Sequence, residues 1–264
     1  MKQILKVKSI SKSYQQTIGF FRKKTKTVHA LTDINFELFE GEILALVGES
    51  GSGKSTFAKI FAGLISPDGG EIQYKNKNLL KNYLHDNLAT RKEIQMIFQD
   101  PFSSLDPKMN IAEILAEPLE IHKFGTKQEI KKKVIDYIKL IGLYEQDLNK
   151  YPHQFSGGQR QRICIARALI LNPKVVICDE PVSALDVSIQ AQILELLKDL
   201  QKKLGLTLLF ITHDLRVVKY LCSRVIVLNK GKIVESGTVK QIFSKPKDSY
   251  TKALLNSVPG KNLN

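Results

Sequence analysis

The chain has 264 residues, of which 43% are hydrophobic and 25% charged, as in an ordinary globular protein rather than a disordered or fibrous one. Its 40 basic and 26 acidic residues give a formal net charge of +14, which favours an anionic partner such as a nucleotide, a nucleic acid or an acidic membrane surface. The apolar runs are too short to cross a bilayer, the N-terminus lacks the apolar core of a secretion signal, and the three cysteines have no metal-ligand spacing. We therefore expect a protein of the reducing cytoplasm.

The first part of the chain predicts two short strands of alternating polarity, at residues 4–10 and 34–38, separated by a polar, basic stretch at 15–27. Continuous apolar runs further along the chain predict strands that are buried on both faces, as in a mostly parallel sheet. These runs are residues 43–47, 175–178, 208–211 and 225–228.

A helical pattern lies between the first two buried strands. Asn110 with Glu113, and Thr126 with Glu129, predict two helix N-termini, and Gly142 ends the second helix. We therefore expect an α/β core that is interrupted by a helical part. The expected organisation is a single domain, 1–264, with its core at 1–99 and 156–240, an inserted helical subdomain at 100–155 and a C-terminal tail at 241–264.

A glycine-rich loop follows the first buried strand and matches G-x-x-x-x-G-K-[ST] at every fixed position. Glycines let successive N–H groups surround a phosphate, and the helix that begins near Lys54 adds the positive end of its dipole. In this motif the lysine bridges the β- and γ-phosphates, and the hydroxyl of Ser55 ligates Mg²⁺. The predicted nucleotide-binding residues of the loop are Gly48, Glu49, Ser50, Gly51, Ser52, Gly53, Lys54, Ser55 and Thr56.

Two carboxylates, Asp179 and Glu180, follow the second buried strand. At such a strand edge Asp179 can reach the Mg²⁺ shell, and Glu180 can accept a proton from an attacking water or orient it. A pair of exposed loop carboxylates is the alternative, and the phosphate loop makes it the weaker one. The two motifs together predict a P-loop NTPase without deciding which.

A serine and two glycines open a later helix, in the sequence F-S-G-G-Q-R-Q-R at residues 155–162. Ser156 is predicted to cap this helix, and the glycine N–H groups then form a second anion-binding end; a plain N-cap is the alternative. The stretch is similar to the signature sequence of ATP-binding cassette (ABC) proteins. Gln99 resembles the glutamine of that family's Q-loop, residues 183–186 resemble its D-loop, and His213 resembles its switch histidine. Tyr14 resembles the aromatic residue that stacks on adenine.

The resemblance covers about residues 1–258 and implies an α/β fold, a P-loop NTPase (ABC ATPase) core with a mostly parallel sheet, an N-terminal antiparallel β part and an inserted helical subdomain. In that family two such domains dimerise head to tail around two ATP molecules, so ATP and Mg²⁺ are the expected cofactors. The resemblance implies that Glu180, His213 and Gln99 are catalytic, and that Ser55, Gln99 and Asp179 hold the metal. Beyond the phosphate loop, the nucleotide-binding residues that it implies are Tyr14, Ser156, Gly157, Gly158, Gln159 and Asp186.

Several stretches look like the ATP-binding subunits of oligopeptide, dipeptide and nickel importers. These are residues 48–51, 99–107, 151–156 and 182–188 and the tail 249–255. Some subunits of that group carry a cysteine-containing C-terminal extension, whereas this chain has no cysteine after Cys222. It therefore resembles the shorter of two paired ATPases, and no iron–sulfur cluster is expected.

The resemblance implies an ATPase that drives peptide uptake, peripheral on the cytoplasmic face of the bacterial inner membrane. The expected partners are two membrane permease subunits, a second ABC ATPase in a heterodimer (a homodimer remaining possible) and, indirectly, a substrate-binding protein. Residues 99–107 and the helical lobe are the candidate docking surface for the permease. The alternatives are a nickel or metal-chelate importer, an exporter, a silent regulatory cassette, and a soluble ABC ATPase that acts on nucleic acid or ribosomes. A single phosphate loop without heptads or zinc spacing disfavours the last, so no nucleic acid is expected.

Overall fold

The computed structural model describes residues 2–18, 24–80 and 88–257. The chain forms two compact units. The first consists of Met1–Asp86 and Leu209–Asn264, and the second of Asn87–Leu208. Within the described ranges, no helix combines the length and the apolar character that crossing a membrane requires.

The elements of the first unit before residue 87 are β1 (Gln3–Ile18), β2 (Lys24–Phe39), β3 (Ile43–Val47), α1 (Lys54–Phe61), β4 (Gly69–Tyr74) and β5 (Lys77–Asn78). The second unit contains α2 (Leu88–Glu93), β6 (Ile94–Ile97), α3 (Pro101–Ser104), α4 (Ile111–Ile121), α5 (Lys127–Leu140), the 3₁₀ helices Glu145–Asn149 and Pro152–Gln154, α6 (Gly157–Leu169), β7 (Val175–Asp179) and α7 (Val187–Leu204). Strand β8 (Thr207–Thr212) spans the boundary. The first unit then continues with α8 (Leu215–Leu221), β9 (Arg224–Asn229), β10 (Lys232–Thr238), α9 (Val239–Ser244) and α10 (Ser249–Asn256).

An antiparallel sheet forms the N-terminal part of the first unit, as predicted. β1 pairs with β2 from Gln3 opposite Phe39 to Ile18 opposite Lys24, and it also pairs with β4. Both strands are longer than predicted, because the described parts of the basic stretch 15–27 are strand; residues 19–23 lie outside the described residues. Residues 15–16 and 26–27 are exposed, so the alternating pattern is lost there although backbone pairing continues.

The apolar runs form the predicted buried strands. In the first unit β3 is buried throughout and pairs in parallel with β9, which pairs antiparallel with β10. In the second unit β6 and β7 are parallel, and every residue of β7 is buried. Strands without an exposed face bury apolar side chains on both sides, which explains why their sequences do not alternate.

The C-terminal helices of the first unit pack in one core cluster with its strands β3 and β9. This cluster joins the strands to α8, α9 and α10, and it consists of Ala45, Val47, Leu215, Val218, Val225, Val227, Val239, Ile242 and Leu254. Full burial of an aliphatic side chain contributes roughly 1.5–3 kcal/mol, so this cluster fixes α10 firmly to the edge of the sheet from which the phosphate loop leaves.

Both predicted helix starts in the second unit are confirmed as capping boxes. The Glu113 N–H donates to Asn110 Oδ1 at 2.9 Å, and the Asn110 N–H donates to Glu113 Oε2 at 2.8 Å. At α5 the Thr126 N–H donates to Glu129 Oε2 at 2.6 Å, and this hydrogen bond holds the pKa of Glu129 below its ordinary value. Gly142, with a φ of +76°, lies just beyond the end of α5. The division into core, subdomain and tail stays a prediction, and residues 258–264 of the tail lie outside the described residues.

Candidate nucleotide site

The phosphate loop joins β3 to α1, the strand–loop–helix order that the motif requires. Close approach of neighbouring backbone explains two of its glycines. Gly53 has a φ of +110°, and a Cβ there would collide with the Ala30 carbonyl oxygen. A Cβ at Gly48 would collide with the Leu228 carbonyl oxygen. Only glycine fits at these two positions, so strands β2 and β9 contribute to the shape of the loop.

The lysine of the motif is buried inside its own loop. Lys54 is 5% exposed, and its Nζ donates to the Gly48 carbonyl at 2.7 Å and to the Glu49 carbonyl at 2.9 Å. These two carbonyl acceptors orient the ammonium group. The lysine therefore provides a desolvated positive charge next to the backbone that would surround a phosphate.

The start of α1 is suited to an anion. Gly53 caps the helix without a side-chain hydrogen bond, so the N–H groups of the first turn are available to an external acceptor. The hydroxyl of Ser52 is buried, and among the residues that the structure describes it has no hydrogen-bond partner. Helix dipole, N–H groups, a buried hydroxyl and a lysine all suit the phosphates of a nucleotide.

Neighbouring segments of the first unit hold the loop in place. The Ser52 N–H donates to the Glu49 carbonyl at 3.2 Å, and the Gly231 N–H donates to the Ser52 carbonyl at 2.9 Å. The Glu49 N–H donates to the hydroxyl of Tyr250 at 3.0 Å. Sequence reasoning missed Tyr250. The only signal for it is its place in the tail stretch 249–255.

In the second unit the structure brings Gln99 and Glu180 together. The Gln99 Nε2 lies 3.4 Å from Glu180 Oε2 and 3.5 Å from Ser183 Oγ, and both hydrogen bonds are long. Glu180 has a φ of +46°, a conformation that costs a residue other than glycine roughly 1–3 kcal/mol. Backbone strain of this kind concentrates at active sites, which supports the catalytic role that the sequence predicts for Glu180.

The predicted metal ligands supply only oxygen. Asp179 ends β7 and is 6% exposed, and it directly precedes Glu180. A carboxylate, the amide oxygen of Gln99 and the hydroxyl of Ser55 are the hard donors that Mg²⁺ prefers, so the chemistry of this donor set fits the ion. The carboxylate of this set, Asp179, lies at the end of a buried strand.

The signature stretch begins α6 as predicted. The Gln159 N–H donates to Ser156 Oγ at 3.3 Å, and the Ser156 N–H donates to Gln159 Oε1 at 3.0 Å. A Cβ on Gly157 would lie 3.4 Å from Leu185, and a Cβ on Gly158 would lie 2.5 Å from Ile189 Cγ2. The start of α6 therefore packs against the segment that follows Glu180, where Asp186 caps α7 without a side-chain hydrogen bond.

Two further predicted residues lie on exposed parts of the first unit. His213 directly follows β8 and is exposed, and Asp214 behind it caps α8. Tyr14 lies opposite Val28 in the β1–β2 hairpin and is 40% exposed, with Lys12 Nζ 5.7 Å from the centre of its ring. An exposed ring of this kind can stack on a base.

The two cysteines of the second unit, Cys164 and Cys178, are buried. Burial raises the pKa of Cys164 and of Cys178 to about 12. Both thiols therefore stay protonated at neutral pH and pack as small apolar side chains.

The chain is similar to ATP-binding subunits of transporters. A family model described as ABC transporter matches residues 31–183. The chain is 52% identical over 242 residues to the oligopeptide transport ATP-binding protein OppF of Haemophilus influenzae, and this match covers 91% of the chain and 73% of the relative. It is 46% identical over 256 residues to the dipeptide transport ATP-binding protein DppF of the same organism, which covers 97% and 78%.

A solved structure agrees with the fold. The ATP-binding cassette MJ0796, solved as a dimer in a post-hydrolysis state with ADP and Pi, is similar with a TM-score of 0.77 and 32% sequence identity. The match covers 89% of this chain and 98% of that one. These similarities confirm the fold class predicted from the sequence and the resemblance to peptide-importer ATPases.

Proposed function

Because the chain belongs to the ABC transporter family, we propose that it is the ATP-hydrolysing subunit of an importer that takes up oligopeptides or dipeptides through separate membrane permease subunits. The observation that carries the proposal is the 52% identity over 91% of the chain to a relative named for oligopeptide transport. The phosphate loop, with its buried lysine and a helix start that has no side-chain cap, supports ATP as the substrate of hydrolysis.

In this function the phosphate loop binds the ATP phosphates. Lys54 and the first turn of α1 stabilise the charge of the β- and γ-phosphates, and Tyr14 stacks on the adenine. Ser55, Gln99 and Asp179 would hold Mg²⁺, which when bound would supply positive charge to the phosphates. Thr56, in the first turn of α1, is the last of the proposed nucleotide-binding residues of this motif.

Hydrolysis is assigned to residues after β7 and β8. Glu180 takes the proton of the attacking water or orients this water. Gln99, whose Nε2 lies 3.4 Å from the Glu180 carboxylate, helps to align the water. His213 holds the γ-phosphate, or the attacking water on the side opposite Glu180. Ser156, Gly157, Gly158 and Gln159 of this chain contact the γ-phosphate that the phosphate loop of the second ATPase holds, so closure of the dimer depends on ATP and ends with its hydrolysis. Asp186, at the start of α7, lies in this dimer interface.

A groove in the second unit is the proposed docking site for a permease. Phe102 is 62% exposed, and the Arg160 guanidinium lies 3.6 Å from the centre of its ring. The groove beside it, of about 480 Å³, is lined by residues of the loop predicted to dock, among them Leu105 and Pro107. An exposed aromatic at the mouth of a groove is typical of a protein-binding surface. The proposed assembly contains two permease subunits and a second, different ATPase, peripheral on the cytoplasmic face of the inner membrane, with a substrate-binding protein acting indirectly.

Peptide uptake tests this function directly. In a strain that lacks its own copy of the gene, the wild-type chain is expected to restore uptake of labelled oligopeptides or dipeptides, and Lys54→Ala is expected to abolish it because the phosphates lose their cation. Lys59→Ala is the matched control, since Lys59 is an exposed lysine in the last turn of the same helix. Restored uptake of a nickel chelate without peptide uptake would contradict the proposed substrate class.

Co-purification tests the partners. The tagged chain is extracted from native membranes in mild detergent, and two permease chains with a second ATPase are expected. Recovery only from the soluble fraction, with nucleic acid or ribosomes, would overturn the transport function.

A further inference from the structure

The tail helix α10 has no part in the function described so far, although the sequence singles out residues 249–255. Its Leu254 belongs to the core cluster with Ala45 and Val47, the strand that leads into the phosphate loop. Thr251 is 1% exposed. The helix therefore shares a core cluster with β3, the strand immediately before the loop.

Hydrogen bonds fix the start of this helix. The Glu235 carboxylate accepts the N–H groups of Lys247 at 2.8 Å and Asp248 at 3.1 Å. Asp248 in turn accepts the Tyr250 N–H at 2.8 Å and caps the helix. Glu235 thus holds the segment before the helix, and Asp248 holds the backbone of Tyr250, from which its side chain extends.

The hydroxyl of Tyr250 contacts the phosphate loop at the backbone of one residue, Glu49. It accepts the Glu49 N–H at 3.0 Å, and the carbonyl of Glu49 accepts Lys54 Nζ at 2.9 Å and the Ser52 N–H at 3.2 Å. One residue of the loop therefore connects the tail to the lysine. The side chain of Glu49 is exposed and takes no part in this connection.

We propose that Tyr250 is a positioning residue for the nucleotide site: its hydroxyl holds the Glu49 backbone, which orients Lys54, and the tail helix thereby raises the affinity for nucleotide. The inference rests on the proposed function of the same site. A glycine-rich loop has many conformations, and a contact that selects the binding conformation in advance lowers the entropic cost of binding. A single neutral hydrogen bond changes an equilibrium constant by about three- to tenfold.

Tyr250→Phe in the full chain tests the proposal, since it removes the hydroxyl and keeps the ring. We expect the affinity for ADP, measured by calorimetry with Mg²⁺, to fall by about three- to tenfold, with a smaller change in kcat for ATP than in KM. Tyr144→Phe is the matched control, because that side chain is 71% exposed. Unchanged affinity with a lower melting temperature would make the contact purely structural and overturn the proposal. Failure of the wild-type chain to bind nucleotide would refute the proposed function, and the tail proposal with it.

A measurement on the wild-type chain needs no variant. Coupling between two sites is reciprocal, so nucleotide must stabilise the tail helix by the factor by which the tail favours nucleotide. Amide hydrogen exchange in α10 is expected to slow by about three- to tenfold when ADP is added, relative to α9 as the internal reference. Equal effects on both helices would overturn the proposal even if Tyr250→Phe did not fold.

Discussion

The signature helix offers a quantitative test of the contact between Gly158 and Ile189. A methyl group at Gly158 would lie 2.5 Å from Ile189 Cγ2, well inside van der Waals contact. Ile189 is β-branched and stiff at χ1, so this atom cannot swing away cheaply. Overpacking of this kind costs about 1–3 kcal/mol, and the better helix propensity of alanine offsets about 1 kcal/mol. Gly158→Ala alone is therefore expected to destabilise the chain by up to about 2 kcal/mol.

A double-mutant cycle isolates the collision. Ile189→Ala removes the Cγ2 atom, so in its presence Gly158→Ala is expected to be neutral or stabilising, with a coupling energy of about 1–3 kcal/mol in urea unfolding. Ile189→Val is the matched control, because it shortens the side chain but keeps Cγ2. It should not rescue Gly158→Ala.

The same set of variants reports on function. If the start of α6 contacts the partner's γ-phosphate, a shift of this helix should lower ATP turnover in Gly158→Ala, and Ile189→Ala should restore part of it. Additive stabilities, or equal rescue by Ile189→Val and Ile189→Ala, would refute the packing argument. Restored stability without any restored turnover would show that the methyl group itself blocks the phosphate contact.

Two further predictions concern a carboxylate in each unit. Glu180→Gln keeps the shape of the side chain and removes its basicity, so phosphate release should slow by about 10²- to 10⁴-fold at unchanged ATP affinity, with Glu195→Gln as the exposed control. Near-normal turnover would contradict the assignment. The Asp68 carboxylate accepts Lys12 Nζ and the Ser13 N–H and hydroxyl, which holds its pKa at about 2. A folded pKa below the unfolded value of about 4 adds stability at neutral pH that is lost as the pH falls from about 4 to 2. The melting temperature of the wild type should therefore exceed that of Asp68→Asn at pH 7, with a difference that begins to shrink below about pH 4; a constant difference would show that Asp68 does not act through its charge.

Features that depend on short stretches of chain were predictable. The capping boxes at Asn110 and Thr126 need only a side chain three residues from its partner. The phosphate loop needs a strand, a helix and glycines at fixed spacing, and all three are local. The buried strands followed from uninterrupted apolar runs, because a strand covered on both faces has no reason to alternate.

Features that depend on backbone pairing without a side-chain pattern were not predictable. The β1–β2 hairpin continues through Gln15 opposite Thr27 because main-chain hydrogen bonds suffice where both faces are exposed. The positive φ of Glu180 likewise has no side-chain pattern that predicts it. A glycine at this position would have revealed the turn, whereas glutamate hides the strain that its surroundings impose.

Long-range contacts explain the rest. Glu49 and Tyr250 are 201 positions apart, and their hydrogen bond joins a backbone group, which carries no residue identity, to a tyrosine that would equally suit a core position. Its existence depends on the core cluster that α10 shares with β3 and β9, which brings the start of the tail helix to the end of a strand encoded some two hundred residues earlier. The phosphate-binding motif is therefore fully visible in a local stretch of sequence. In the proposal above, however, its conformation before nucleotide binds depends on a helix that lies outside the motif.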